Sequence, residues 1–311
     1  MTAFEIATSL RPGSTGFVTD GGMETDLIFH HGVELPDFAA FPLLDRVGGR
    51  ELLCRYYDDY AAIARRAGAG LMLEAPTWRA NPDWGRRLGY DQAALARVNA
   101  DAIALLEVLR TRYAAAIDPI LISGMIGPRG DGYSADSQSR PEDAADYHRP
   151  QLQSLADAHA DLATAYTLTH VGEAVGIVQA ARSVGIPIAI SFTVETDGRL
   201  PSGDSIGDAI NAVDEAAPPD HYLINCAHPA HILNGLGEPA SWTRRIAGVR
   251  VNASAKSHAE LDAAEELDEG DIDGLGRSRA ALADALPALT ILGGCCGTDH
   301  RHVAALWNVG G

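Results

Sequence analysis

The sequence predicts an α/β protein of the (β/α)8 TIM-barrel type, folded as a single domain over residues 1–311. Three observations carry that expectation. Eight short apolar or β-branched runs, ending near Gly, Asn or Pro, alternate with longer alanine-rich stretches of helical periodicity. The runs are almost continuously apolar, as strands of a parallel sheet covered on both faces must be. Eight strand–helix units is also the count of a closed barrel, whereas a doubly wound open sheet usually shows G-x-G-x-x-G after its first strand. The DGGMET of Asp20 to Thr25 does not match that pattern.

The strand runs begin at Gly16 (GFVTDGG), Gly70 (GLMLEAPT), Pro119 (PILISGMIGP) and Asp161 (DLATAYTL). Four more begin at Pro187 (PIAISFTVE), His221 (HYLINCAHP), Gly248 (GVRVNAS) and Leu289 (LTILGGCCGT). Between them, helical spacing covers Leu52 to Ala67, Gln92 to Tyr113, Ala144 to Ala158 and Val171 to Val184. It continues over Ile206 to Ala216, a stretch after Pro229, Ala259 to Leu267 with Gly276 to Leu286, and His300 to Trp307. Ser257 and Glu260 have capping-box spacing, which marks one helix start. The polar segment Gly127 to Asp143 reads as a loop, and no Gly-, Ser- or Pro-rich linker divides the chain.

Composition narrows the partners. With 24 Lys+Arg against 42 Asp+Glu the formal net charge is −18, which argues against nucleic acid and anionic membranes. The apolar fraction of 46% and charged fraction of 21% are those of an ordinary globular protein. A chain this long buries roughly 75% of its unfolded surface and needs no disulfides. No apolar stretch approaches the ~18 residues of a membrane span, and the amino terminus lacks the pattern of a signal peptide. Two of the four cysteines are adjacent, which disfavours a secreted disulfide framework, so the expected location is the cytoplasm.

The chemistry-bearing residues are Cys226, in INCAHP, and Cys295–Cys296, in GGCCGT. Both motifs end predicted strands, at the face where barrel enzymes keep their active sites. Three thiolates are a soft ligand set suited to Zn²⁺ at about 2.3 Å per Zn–S bond, and three protein ligands leave a fourth position open, as in catalytic zinc sites. Gly293, Gly294 and Gly297 permit the backbone angles needed to aim successive cysteines at one metal. A cysteine taken alone is more simply a small buried hydrophobe, and Cys54, inside an amphipathic helix, is read that way.

These motifs, with DGGMET at Asp20, GPRGDG at Gly127 and NC at Asn225, make the sequence resemble the zinc-dependent homocysteine S-methyltransferases over nearly its whole length. The resemblance implies a barrel in which Cys226, Cys295 and Cys296 hold Zn²⁺ and the metal binds the acceptor thiol. It also implies that Asp20, Gly21, Gly22 and Asn225 help bind the acceptor amino acid, although Asp20 could instead cap a turn. The partners it implies are small molecules, a thiol acceptor and a methyl donor. Zinc deprotonates a bound thiol, whose free pKa is about 8.5, leaving a nucleophile for an activated methyl group. Only Asp299 to Gly311 follow Thr298, so no cobalamin or folate module is expected beyond the barrel.

One position departs from the pattern. Where the family's fourth strand ends in a glutamate for the substrate ammonium group, this chain has Tyr166, which offers no charge. Glu74, ending the second strand, is a candidate replacement; the alternative is a solvated or Arg79-paired acid. The acceptor is therefore homocysteine or another small thiol, and a non-catalytic, zinc-stabilised binding barrel is the reading of a different class. Trp78 and Trp84 could line the mouth, because an aromatic face suits a cationic donor, or could simply pack a loop. His300 and His302 are expected at a helix surface, His228 and His231 are weak metal candidates, and Asp268 to Gly274 reads as a solvated loop.

Overall fold

The computed structural model describes residues 16–310 apart from 131, 133–138, 239 and 265. The amino-terminal stretch, Asp131 of the GPRGDG motif and Gly311 lie outside the described residues. Eight parallel strands close into one barrel in chain order. They are β1 (Phe17–Val18), β2 (Gly70–Glu74), β3 (Ile120–Ile126), β4 (Leu162–Leu168), β5 (Ile188–Phe192), β6 (His221–Ala227), β7 (Ile246–Val251) and β8 (Ile291–Gly294). Phe17 of β1 faces Gly70 on one side and Ile291 on the other, and this double pairing closes the ring.

The near-continuous apolar runs follow from two apolar surroundings. Phe17, Met72, Leu121, Leu162, Tyr166, Ala189, Leu223 and Ile291, drawn from seven strands, pack together as one cluster inside the barrel. The alternate residues pack outward under the helices as the larger core. Every residue of β2, β4 and β6 is buried, so none of these strands has a polar face to alternate with.

The outer ring comprises α1 (Met23–Phe29), α2 (Gly49–Ala67), α3 (Pro82–Arg87), α4 (Gln92–Tyr113), α5 (Pro141–Asp157) and α6 (Val171–Val184). It continues with α7 (Ile206–Ala216), α8 (Pro229–Leu236), α9 (His258–Asp262), α10 (Ile272–Ala285) and α11 (His300–Leu306). Side-chain caps set several starts: Asp91 accepts from the Ala94 amide at 2.8 Å and Asp271 from the Gly274 amide at 2.9 Å. The Ser257–Glu260 capping box is present at α9. The helix expected over Ala259 to Leu267 stops at Asp262, and the one expected from Gly276 begins earlier, at Ile272, because Asp271 caps it. Two helices absent from the sequence reading, α1 and α3, have 7 and 6 residues, too short to show a hydrophobic period. No helix among the described residues is long and apolar enough to cross a membrane.

Candidate active site

The strand ends of β1, β6 and β8 deliver the mouth of the barrel. Cys226 Sγ lies 3.2 Å from Cys295 Sγ and 3.4 Å from Cys296 Sγ, and all three sulfurs fall within 4.8 Å of one another. Cys226 is buried, the other two are half-buried, and Cys54 sits apart on α2. The neighbouring sulfurs act on ionisation: hydrogen bonds with Cys226 and Cys296 hold Cys295 well below the usual thiol range, and the same contacts push Cys226 up. Sulfurs at about 2.3 Å around a tetrahedral ion stand roughly 3.8 Å apart. The trio therefore fits such an ion with a slight outward movement of the thiols.

Adjacent residues of a strand normally face opposite sides, yet Asn225 and Cys226 both line the same cavity. The backbone explains this. Cys226 has φ +57°, in the left-handed region, and the β6–β7 register shifts between Asn225 and Ala227. Thr167 on β4 repeats the device, with φ +62° and a register shift between Ala165 and Leu168. Each such residue costs on the order of 1–3 kcal/mol and persists because surrounding bonds over-determine it. Asn225 supplies those bonds: its Oδ1 accepts from the Thr167 amide (2.9 Å) and the Ser191 hydroxyl (2.7 Å), and its Nδ2 donates to Thr167 Oγ1 (2.9 Å). Asn225 Nδ2 also lies 3.9 Å from Cys295 Sγ. From the other side, His258 Nε2 lies 2.7 Å from the Cys226 carbonyl oxygen, with Glu195 at its Nδ1 (2.9 Å).

The first loop is clamped against the cysteine loop. Gly22 N–H donates to the Thr298 carbonyl, and the Gly297 amide donates to Thr25 Oγ1 (3.1 Å). A Cβ on Gly22 would lie 2.4 Å from the Cys295 carbonyl oxygen and 2.5 Å from Thr25 Oγ1. Gly22→Ala is therefore expected to lower the unfolding free energy by about 1–3 kcal/mol in urea titrations, because neither loop can retreat without losing these bonds.

Asp20 does not cap α1, whose cap position is Gly22 without a side-chain bond. It is held instead by Arg250 of β7, a residue the sequence reading missed. Arg250 Nη2 donates to Asp20 Oδ1 at 2.6 Å and to the Gly21 carbonyl at 2.9 Å, and its Nε donates to the Gly294 carbonyl at 2.9 Å. The Tyr56 hydroxyl donates to Asp20 Oδ2 at 3.0 Å. The available signal is the arginine itself, standing inside the otherwise apolar run IAGVRV. One guanidinium thus ties β7 to the ends of β1 and β8.

Tyr166 and Glu74 meet as a pair. The Tyr166 hydroxyl donates to Glu74 Oε1 at 2.6 Å, while Oε2, buried, has no hydrogen-bond partner among the described residues. Burial pushes the Glu74 carboxyl up to about 7 and the Tyr166 phenol well above its usual range. Tyr166 lines the cavity at the cysteines; Glu74 stands behind it and lines neither mouth cavity. Glu74 does not pair with Arg79, whose guanidinium stacks on Trp78 (4.6 Å) and Trp84 (3.6 Å).

The cavity has two compartments. An inner one of about 50 Å³ is bounded by Asp20, Gly21, Gly22, Tyr166, Asn225, Arg250 and the three cysteines. It opens onto an outer one of about 380 Å³, and the two share Thr25, Phe38, Trp78 and Cys296. Trp78 therefore stands at the junction, whereas Trp84 lines neither compartment. Glu24, also missed from the sequence, is a half-buried acid on the inner wall, and burial pushes its carboxyl up to about 7.

Several histidine expectations change. His302 is fully buried, bonded to Asp299 (2.9 Å) and the Glu269 carbonyl (2.8 Å), because α11 turns it inward as part of its cap; His300 is exposed. His228 and His231 contact each other at 5.8 Å and are not part of the cysteine trio. Asp268, in the stretch read as a solvated loop, is tied to Ser254 (2.8 Å) and Lys256 (3.0 Å).

A closed (β/α)8 barrel with three converging cysteine sulfurs at its carboxyl-terminal mouth defines a barrel protein equipped for thiol and soft-metal chemistry. The model of the homocysteine S-methyltransferase family matches residues 17–309, and the chain belongs to that family. Homocysteine S-methyltransferase 4 of Zea mays is 26% identical, covering 93% of this chain and 87% of its own. The homocysteine S-methyltransferase of Escherichia coli K12 is also 26% identical, covering 92% and 93%. The crystal structure of the Escherichia coli homocysteine methyltransferase MmuM in its metallated form superposes with a TM-score of 0.73 at 22% identity, over 95% of this chain and 96% of that one.

Proposed function

We propose that this protein is a zinc-dependent S-methyltransferase that moves a methyl group from an activated donor to the thiol of homocysteine, giving methionine. The observation that carries the reading is the convergence of the Cys226, Cys295 and Cys296 sulfurs within 4.8 Å at the barrel mouth. A Zn²⁺ ion there would keep the acceptor thiol deprotonated at neutral pH, and three thiolates around it leave the site with net negative charge. The metallated state named for the similar Escherichia coli barrel supports the same reading.

The chain's own groups divide the remaining work. Asp20, Gly21 and Gly22 form one wall for the acceptor. Tyr166 forms another; its proton is committed to Glu74, so the oxygen lone pairs are the part offered to the cavity. Glu74 is a positioning residue in this arrangement, because it reaches the acceptor through Tyr166. Asn225 holds the strained backbone that aims Cys226. Donors enter through the outer compartment past Trp78, whose ring suits a sulfonium or quaternary ammonium group.

A second reading, methylation of a small thiol without a free ammonium, is favoured by the Arg250–Asp20 pair, which engages the charge of one acid of the inner compartment. Turnover of homocysteine against thiols lacking the amino group, across a panel of donors, separates the two; bound zinc with no turnover on any pair favours the non-catalytic barrel. X-ray absorption at the zinc edge tests the metal's role. Saturating homocysteine is expected to replace one oxygen or nitrogen ligand by a fourth sulfur. An unchanged zinc environment under turnover conditions would make the metal structural.

A further inference from the structure

The two acids that the sequence offers for the acceptor, Asp20 from the resemblance and Glu74 as the candidate replacement, are both engaged. Asp20 is held by Arg250 and Tyr56, and the Tyr166 hydroxyl is turned toward Glu74. Arg250 also stands 4.9 Å from the centre of the Tyr166 ring, so that corner of the cavity already contains a cation. A second cation placed there would meet repulsion in a desolvated setting.

Glu24 stands differently. It follows DGGM in the first turn of α1, half-buried, on the wall of the inner compartment and outside the lining of the outer one. Among the described residues its carboxylate has no side-chain hydrogen bond and no ion pair; its one hydrogen bond is to its own backbone N–H. Arg250 acts on it only across the compartment and donates its hydrogen bonds elsewhere, so this buried-side carboxylate lacks a bonded counter-charge and is an incomplete pair. On the reading above, a metal held by the cysteine trio would fix the thiol end of the acceptor in the same compartment, so an amino group a few bonds away would fall among the walls of that compartment.

We infer that Glu24 receives the ammonium group of the acceptor amino acid, doing from α1 what an acid on the fourth strand would otherwise do. This rests on the homocysteine reading above and adds to it the group that selects an α-amino thiol over a plain one. The inner placement assigns the acceptor's cation to Glu24, and leaves a cationic donor to the outer compartment.

The test compares zinc-loaded wild type with Glu24→Gln, which keeps the side chain's shape. Calorimetric titration with homocysteine and with 4-mercaptobutanoate, the same thiol acid without the amino group, gives a preference ratio for each protein. Wild type is expected to prefer homocysteine by about 10- to 150-fold, the range for a charged hydrogen bond. Glu24→Gln is expected to bring that ratio close to one, raising the homocysteine KM with little change in kcat, zinc content or 4-mercaptobutanoate affinity. The same ratio in both proteins overturns the assignment. A ratio that survives Glu24→Gln but collapses in Glu74→Gln also overturns it, and hands the ammonium to the Tyr166–Glu74 pair. If wild type binds no homocysteine, the acceptor reading itself fails and the inference falls with it.

Discussion

Cys295→Ala is expected to lose both its metal and its activity. Metal analysis of the purified wild type should give about one zinc per chain, and the variant close to none. Changes to groups that merely orient zinc ligands lower affinity about 10- to 100-fold, so removing one of three ligands lowers it further. Cys226→Ala and Cys296→Ala should behave alike, because all three sulfurs share one cluster. Cys54→Ala is the control. That thiol lies on α2 away from the mouth, and metal content should stay at the wild-type level. A Cys295→Ala protein with full zinc would remove the basis of the proposed function.

The second large effect is on stability. Arg250 and Asp20 are both buried, 5% and 2% exposed at their side chains, and their charges meet at 2.6 Å. Arg250→Met leaves Asp20 without its charge partner and strands the Gly294 carbonyl, while the Gly21 carbonyl keeps only the Tyr56 hydroxyl. Breaking one side of a buried pair costs about 3–5 kcal/mol, so the urea midpoint should fall sharply. Asp20→Asn combined with Arg250→Met should recover part of that loss, since it removes the stranded charge.

The loss should also depend on pH. Burial already raises the Asp20 carboxyl against the opposing pull of Arg250, and deleting the arginine raises it further. A group that holds its proton more tightly when folded favours the folded state at low pH and loses that contribution as pH rises through its folded pKa. The stability gap between variant and wild type is therefore expected to be widest at neutral pH and to narrow in acid. Glu24 and Glu74, both pushed up to about 7 by burial, also lose the downward pull of Arg250 in the variant, so their contribution widens the neutral-pH gap in the same sense. A gap under about 1 kcal/mol at neutral pH would show that the pair contributes little to stability.

Much of the molecule is legible without coordinates. A buried parallel strand must be apolar on both faces, and that requirement writes eight visible runs into the chain. Helix limits at Gln92–Tyr113, Val171–Val184 and Ile206–Ala216 follow from local periodicity and caps, which act within a few residues. The cysteine motifs are readable for a similar reason: thiols at the ends of strands six and eight of a barrel share one face whatever the loops do.

Other features depend on groups that the chain brings together from far apart. Asp20 and Arg250 are 230 positions apart, and Tyr166 and Glu74 are 92 apart; no local pattern joins either pair. Glu74 ends its strand as the chain suggests, but side-chain packing puts Tyr166 between it and the cavity. The left-handed turn at Cys226 overrides the strand's own alternation, and its stability comes from Asn225 bonding to β4 and β5. Architecture and the thiol cluster belong to the sequence because they rest on period and position. The charge pattern around the acceptor belongs to the fold, because electrostatics and burial depend on distances in space that spacing along the chain does not record.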